Sequence, residues 1–599
     1  MGKILIATRN EDYINMLKTF KESGYQTSYN NIGISGGIAA YRKLNIDTVN
    51  YYEEEGCFAV GVGTFFFNGK IDDEALKNIL HFFAGDVGMI QDKIIGSYCI
   101  CIFKEGKMYI FVDSNHIYNM YYFIDEARTI VTNTYYHIAQ QVESMSLSPT
   151  NFLEQIFQYS NLDNYTLFDG IKKLMGNQYL ELDVNNNICV VREIKFNNYN
   201  ESKENSIKNL SKKMGLIGNA IKNTGIFMTG GQDSRLVLSF LLSIGLKPTL
   251  LYGEGDSMDT NTKIEDKNIV ELIAKKLNIR FQTMNWKDNI SEGNIKDNLM
   301  KYGELYLIYN YNENIIHEFE YNLKLDFVEF GYFGEIFRNI EWLEEYPREE
   351  FSIEEIVDDF YVNIKLKYVL ENFEMYRKHI LDKLYKICIN KKLNPLNLCK
   401  DNFIKIHIEY RKSADTVMCN FSNLFFYSTP ILSQRSITEY VENIGFKEKI
   451  NSKFQLETIK SLNNELLTIP FYSHLRRKVY DSEKGILKDE LTIVMKNKEL
   501  IRKKVKNEKL IYILRILYYK LKGDKKGLQE VSSEHELKRI IKIENINTNI
   551  KGIKLKEFIK HCSILQINRF KRMEYLITNS KCNKKKTQYN SNKEEFLYE

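Results

Sequence analysis

Residues 225–229, Gly-Ile-Phe-Met-Thr, form a short apolar run that stops at two consecutive glycines, Gly230 and Gly231, and restarts as an apolar-periodic segment opened by Asp233 and Ser234. The run predicts a buried strand, and the period after it predicts a helix over 234–244. The rhythm repeats downstream as a strand at 248–252, a helix at 266–277 and a strand at 279–284, with an amphipathic helix expected over 206–223 ahead of it. Alternation of this kind predicts a parallel sheet wound with helices on both faces. Glycines let the backbone approach an anion closely, and the free N–H groups of a helix start donate to phosphate oxygens with help from the helix dipole. Asp233 stands where a carboxylate can hold Mg²⁺ against such phosphates. The lysine of the GxxxxGK[ST] nucleotide loop is missing, so that loop is excluded. A plain strand-to-helix turn, capped by Asp233 or Ser234, fits the same residues.

The first 190 residues have a different texture, mostly β with turn punctuation. Residues 56–68 read as an aromatic-rich strand pair, and 96–103 with 108–112 as a hairpin joined by a short polar turn containing glycine. A further apolar run spans 118–123, and 186–196 supplies a last strand. Continuous apolar strands need cover on both faces, which predicts stacked sheets. The Asn-rich stretch 196–205 marks a domain boundary. Past 350 the chain reads as mainly helical, with long Lys-rich amphipathic stretches such as 494–521, and a polar tail expected to be disordered.

At 599 residues the chain is too long for one ordinary domain. Lys+Arg 83 against Asp+Glu 78 leaves a net charge of +5, which does not describe a dedicated nucleic-acid binder. No stretch approaches the roughly 18 apolar residues of a spanning helix. The first 13 residues lack a basic segment followed by an apolar one, so the expectation is a cytoplasmic protein. The nine cysteines are scattered with no CxxC pair, which argues against a disulfide framework or a zinc site.

The turn Thr229-Gly230-Gly231-Gln232-Asp233-Ser234-Arg235 resembles the SGGxDS pyrophosphate loop of N-type ATP pyrophosphatases, in the form seen in asparagine-synthetase-like enzymes. About a hundred residues later Gly331-Tyr332-Phe333-Gly334-Glu335-Ile336-Phe337-Arg338 resembles that family's GxGxDE loop, and Glu335 falls at its second Mg²⁺-binding carboxylate. Lys453-Phe454-Gln455-Leu456, with Leu466 to Phe471, is similar to a third family region whose lysine neutralises charge at the reacting phosphate. Residues 96–122 resemble the core of a class II glutamine amidotransferase (Ntn-hydrolase-like) domain, and 166–176 the segment that joins it to the synthetase domain. The resemblance covers about 1–480 in the correct order.

It implies an α/β and α+β multidomain chain. Residues 1–195 would form Ntn-like stacked sheets, and 206–480 a parallel-sheet ATP pyrophosphatase (HUP-like) domain. A basic helical extension over 483–580 and a disordered tail over 581–599 would follow. It implies ATP bound by Met228, Thr229, Gly230, Gly231, Gln232, Asp233, Ser234, Gly253 and Gly331, with Mg²⁺ on Asp233 and Glu335 and with Lys453 at the phosphates. Family members that hydrolyse glutamine use a cysteine at position 2. Here Met1-Gly2-Lys3 offers no nucleophile, so glutaminase chemistry is expected to be absent, as in relatives resembling β-lactam synthetase and lasso-peptide macrolactam synthetases. Tyr332 lies where β-lactam synthetase has a tyrosine that helps take the amine proton. Phe333 replaces a usual glycine, Glu335 a usual aspartate and Arg235 a usual serine. The expected reaction is AMP-forming amide ligation on a small-molecule or peptide substrate that carries a carboxylate and an amine. An ammonia-using asparagine synthetase and a catalytically degraded scaffold are the alternatives. Neither nucleic acid nor membrane is expected as a partner, and the oligomeric state is not legible.

Overall fold

The computed structural model describes residues 2–490, apart from 32–35, 143–144, 159, 197–211, 213–220, 256–259, 287–294, 309–312, 365, 415 and 474–475, together with 566, 569, 570 and 573. The connector at 196–205, nearly all of the helix expected over 206–223, the Lys-rich stretch 494–521 and the tail lie outside the described residues.

Two antiparallel sheets of six strands build the front of the chain. In chain order the strands are β1 (Lys3–Ala7), β2 (Thr27–Asn31), β3 (Gly37–Tyr41), β4 (Tyr51–Glu54), β5 (Cys57–Phe66), β6 (Ile95–Lys104), β7 (Lys107–Val112), β8 (Tyr121–Ile124), β9 (Thr129–Thr132), β10 (Lys172–Lys173), β11 (Gln178–Asp183) and β12 (Ile188–Glu193). One sheet runs β10-β8-β9-β1-β3-β2 and the other β12-β11-β7-β6-β5-β4. The two sheets face each other through β3 and β5, with helix Asn10–Glu22 on the outside of the first and helix Asp72–Phe82 against the second. The period-2 alternation of β1 explains this layering. Ile4 and Ile6 join the core shared by the sheets, while Leu5 and Ala7 join Met16 and Phe20 of the outer helix. Each such aliphatic side chain contributes roughly 1.5–3 kcal/mol of burial. The hairpin over 96–112 forms as the sequence predicts, with Cys101 opposite Ile110. Residues 56–68 differ from the expected strand pair: they form the single long strand β5, whose partner β4 lies just before it.

Four parallel strands follow: β13 (Thr224–Phe227), β14 (Thr249–Gly255), β15 (Phe281–Trp286) and β16 (Phe327–Glu329), in the order β15-β14-β13-β16. Helix Gln232–Ser243 follows β13, and helix Thr260–Leu277 follows β14. The helical region past 350 includes Phe373–Asn390, Lys400–Ala414 and Lys453–Leu462. The expected helical extension from 483 begins differently. Arg476–Asp481 and Ile486–Asp489 pair as an antiparallel hairpin, because Asp481 and Gly485 form a turn with φ +66° at the glycine.

The two halves dock through polar groups. Thr64 Oγ1 donates to Asn423 Oδ1 (2.6 Å), Lys43 Nζ to the Asn423 carbonyl (2.7 Å), and Asn420 Oδ1 accepts from the Asn119 amide (2.8 Å). Arg435 pairs with Asp92 at 2.9 Å.

Candidate active site

β13 and β16 are hydrogen-bonded neighbours, with Ile226 opposite Glu329. Their C-terminal loops therefore emerge side by side, at the edge where open parallel sheets place ligands. Gly331 and Gly334 make the contact between the loops possible. A Cβ on Gly331 would stand 2.7 Å from the Ser234 amide nitrogen, and one on Gly334 2.6 Å from the Cα and Cβ of Asp233. Phe333 between them has φ +64°, a left-handed value that costs a bulky residue about 1–3 kcal/mol. Its ring is fully buried, which holds it there.

Around the first loop most donors are already engaged. The Gly230 amide donates to Asp266 Oδ1 (2.6 Å), the Thr229 amide to Ser234 Oγ (3.2 Å) and the Gly231 amide to Thr229 Oγ1 (3.2 Å). The Met228 amide donates to the Leu251 carbonyl at 2.9 Å. Helix Gln232–Ser243 starts after Gly231 without a side-chain cap, so the head of that helix keeps its dipole facing outward. Arg235 does not reach the loop mouth. It is fully buried, and its guanidinium donates to the carbonyls of Gly230, Leu466, Ile469 and Pro470 at 2.8–3.3 Å. The Phe471 ring lies 3.7 Å from its central carbon, and burial pushes its pKa down to about 9. The segment 466–471 thus wraps the residue that replaces the usual serine.

Asp233 accepts a bidentate pair from Arg338 (3.1 and 3.2 Å) and a further bond from Gln455 Nε2 (2.8 Å). Glu335 accepts from Arg411 Nε at 3.0 Å. His407, one turn before Arg411, is held down to about pKa 3 by burial and then by Arg411 and Arg338, with Glu335 opposing. The two carboxylates expected to hold Mg²⁺ are thus each neutralised by an arginine, and both oxygens of Asp233 accept N–H bonds. As arranged they do not fit Mg²⁺. Among the described residues, no group of three or more His, Cys, Asp or Glu is placed to hold a metal ion.

Other expected residues fall as follows. Tyr332 stacks on Phe330 (5.2 Å, 21°), which stacks on Phe227 (4.8 Å, 6°). The Trp286 ring covers Gly253, where a Cβ would lie 2.3 Å from it, and also reaches the Phe227 ring at 5.2 Å. Gly253, expected to help bind ATP, is therefore roofed by an indole. Lys453 is exposed at the head of its helix. Residues two apart on a helix point to nearly opposite sides, so Gln455 rather than Lys453 meets Asp233. Sequence reasoning missed Gln455, Arg338, Arg411 and Asp266 as site residues. The first two sit inside motifs it had quoted, and the register of the helix or turn was the available signal.

Position 2, where the resemblance puts a nucleophile in other chains, is also defined. A Cβ on Gly2 would lie 2.6 Å from the Arg42 carbonyl oxygen, so the fold as it stands leaves no ordinary room for a side chain there.

Fold and site together describe a two-part α/β protein with paired glycine loops at the C-terminal edge of a parallel sheet. No family model matches the chain, and no curated protein does. Solved structures with partial likeness include a glutamine phosphoribosylpyrophosphate amidotransferase from B. subtilis complexed with ADP and GMP, with 9% identity, 47% of this chain and 65% of that one covered, and TM-score 0.22. The chain thus spans just under two thirds of that protein's length. Others are an allosteric regulatory enzyme of purine biosynthesis (8% identity, 48% and 80% covered, TM-score 0.23) and the U34-tRNA thiolase NcsA from Methanococcus maripaludis with its [4Fe-4S] cluster (13% identity, 46% and 83% covered, TM-score 0.16). Superpositions this poor carry no functional weight.

Proposed function

We propose that the chain is an ATP-dependent, AMP-forming carbon–nitrogen ligase that lacks a glutaminase activity of its own. The observation that carries the reading is the direct seating of the Gly331–Gly334 loop on Asp233 and Ser234, which joins two phosphate-handling motifs in one site. In this reading the uncapped amides of Gln232 and Asp233 and the Arg338 guanidinium hold the phosphates of ATP. The Asp233–Arg338 pair is part-exposed, with side chains 30% and 24% accessible, so its net strength is about 0–1 kcal/mol and a phosphate can recruit the arginine. A substrate carboxylate oxygen attacks the α-phosphorus, the bond to the β-phosphate bridging oxygen breaks, and pyrophosphate leaves against Arg338 and the helix head. An amine then attacks the acyl carbon of the adenylate, the C–O bond to AMP breaks, AMP leaves as the phosphate anion, and Tyr332 passes the amine proton to solvent. No step is assigned to Mg²⁺, because the carboxylates as arranged do not fit it.

A catalytically silent scaffold is the second reading. What favours it is the occupation of the Gly230 amide by Asp266 and the indole over Gly253. The two readings separate by mass spectrometry of AMP and pyrophosphate formed from ATP with candidate acids and amines. A ligase releases both in step with an amide product, and Arg338→Ala lowers the rate on the order of 10²–10³-fold. Absence of AMP from every pairing overturns the ligase.

A further inference from the structure

Away from the nucleotide loops, a cavity of about 620 Å³ opens between the front sandwich and the helical region. That volume is within the roughly 300–1,000 Å³ of ordinary small-molecule sites. Its walls come from the turn after β7, the start of β11, the end of helix Phe373–Asn390 and helix Lys400–Ala414. Glu409 and Lys412 of the last helix line it, while His407 and Arg411 of the same helix serve the Asp233–Glu335 cluster.

Two polar residues of the wall, His116 and Gln178, are buried or half-buried. His116 is only 7% accessible and its residue lines the cavity. Burial, with Lys173 and Lys412 nearby, holds its pKa well below the usual value, against the pull of Glu409, so the ring is neutral. The Oε1 of Gln178 is a buried acceptor with no donor among the described residues, so a ligand meets it once the amide turns toward the cavity. An unsatisfied buried group costs about 1–3 kcal/mol, and a ligand that satisfies it recovers that cost.

The charges around these groups select the kind of ligand. Lys386 pairs with Asp163 on one side, and Lys412 and Lys391 pair with Glu409 on another, at 2.7 and 3.1 Å. Lys386, Lys391 and Lys412 are balanced by Asp163, Glu193 and Glu409. A ligand with net charge would meet an opposing charge wherever it met an attractive one. A neutral molecule with separated charges finds a lysine for its anionic end and a carboxylate, with Gln178 Oε1, for its cationic end. Leu162, Met175 and Ile387 add an apolar wall for the remainder.

We infer that this cavity is a binding site for a zwitterionic α-amino acid, its carboxylate toward Lys412 and Lys386 and its ammonium toward Glu409 and the Gln178 carbonyl. It is separate from the nucleotide loops and does not require them. The test is calorimetric titration of the full chain, without ATP, using L-leucine, L-glutamine, L-glutamate and L-lysine. L-leucine or L-glutamine binds saturably, and the net-charged L-glutamate and L-lysine bind more weakly. For the one that binds, the carboxamide, which lacks the carboxylate, and the deaminated acid, which lacks the ammonium, each bind about tenfold or more weakly, the loss of one charged hydrogen bond. Gln178→Leu and Lys386→Met weaken binding by a similar factor, whereas Asp233→Ala leaves it unchanged, so a failed ligase assay and a failed amino-acid titration are distinguishable. The inference is overturned by the absence of saturable heat from both L-leucine and L-glutamine. Sorbitol binding as tightly as the best of them, or unchanged affinity in both cavity variants shown to be folded by circular dichroism, overturns it equally.

Discussion

Arg235 shows how one residue can link a motif to a fold. Its guanidinium binds four carbonyls, three of them in the stretch 466–470, and so ties the helix after the first glycine loop to a segment 231 or more positions away. Arg235→Ala leaves those carbonyls without their donor and is expected to cost at least about 3 kcal/mol, read as a lowered denaturant midpoint. Arg235→Lys is expected to recover only part, since an ammonium cannot span the fork. Serine is usual at this position in the resembling family, and the sequence alone does not show that the arginine points into the core. Phe333 is the reverse case. The sequence shows only that it replaces a usual glycine; the left-handed φ of +64°, which glycine adopts without strain, comes from the structure. The residues that hold Asp233 were less legible, because Arg338 and Gln455 look like ordinary surface polar residues until the turn and helix fix their direction.

At the scale of elements, the alternation of strand and helix from 225 to 286 was readable because buried parallel strands are continuous apolar runs and the glycines mark the turns. Strand pairing was less so: β4 is mostly exposed and polar, and nothing in its composition identifies it as the partner of β5. The helix ends near the site carry a pH signature. Lys449 is fully buried and donates to the Val441 carbonyl at 2.8 Å, at the end of helix Arg435–Glu442. Burial lowers its pKa to about 8, with Glu442, Asp401 and Glu448 opposing. The unfolded value is about 10.4, so the unfolded chain binds more protons between these limits. Folding stability therefore rises as pH increases from about 8 toward 10.4, and this part is lost as pH falls through 8. Unfolding titrations of Lys449→Met across that range should show a flatter slope than the parent; an identical slope contradicts the assignment.

At the scale of the whole molecule, the front sandwich is docked on the parallel-sheet half. Lys43, Thr64 and Asn119 all bond the segment 420–423, so the two units close one polar interface. The Arg42 carbonyl stands where a side chain at position 2 would begin. Gly2→Cys should therefore yield no ammonia from glutamine and should lower thermal stability; measurable glutamine hydrolysis by that variant contradicts the reading of the sandwich as a structural unit.

The proposed ligase requires that the loop at 229–235 receive a nucleotide's phosphates through the helix head and Arg338. Calorimetric titration of the full chain with ATP tests this most directly. Saturable binding that pyrophosphate competes away, and that weakens about tenfold or more in Arg338→Ala, is the expected result. A folded chain that takes up no ATP, or one whose affinity is untouched by Arg338→Ala, contradicts it.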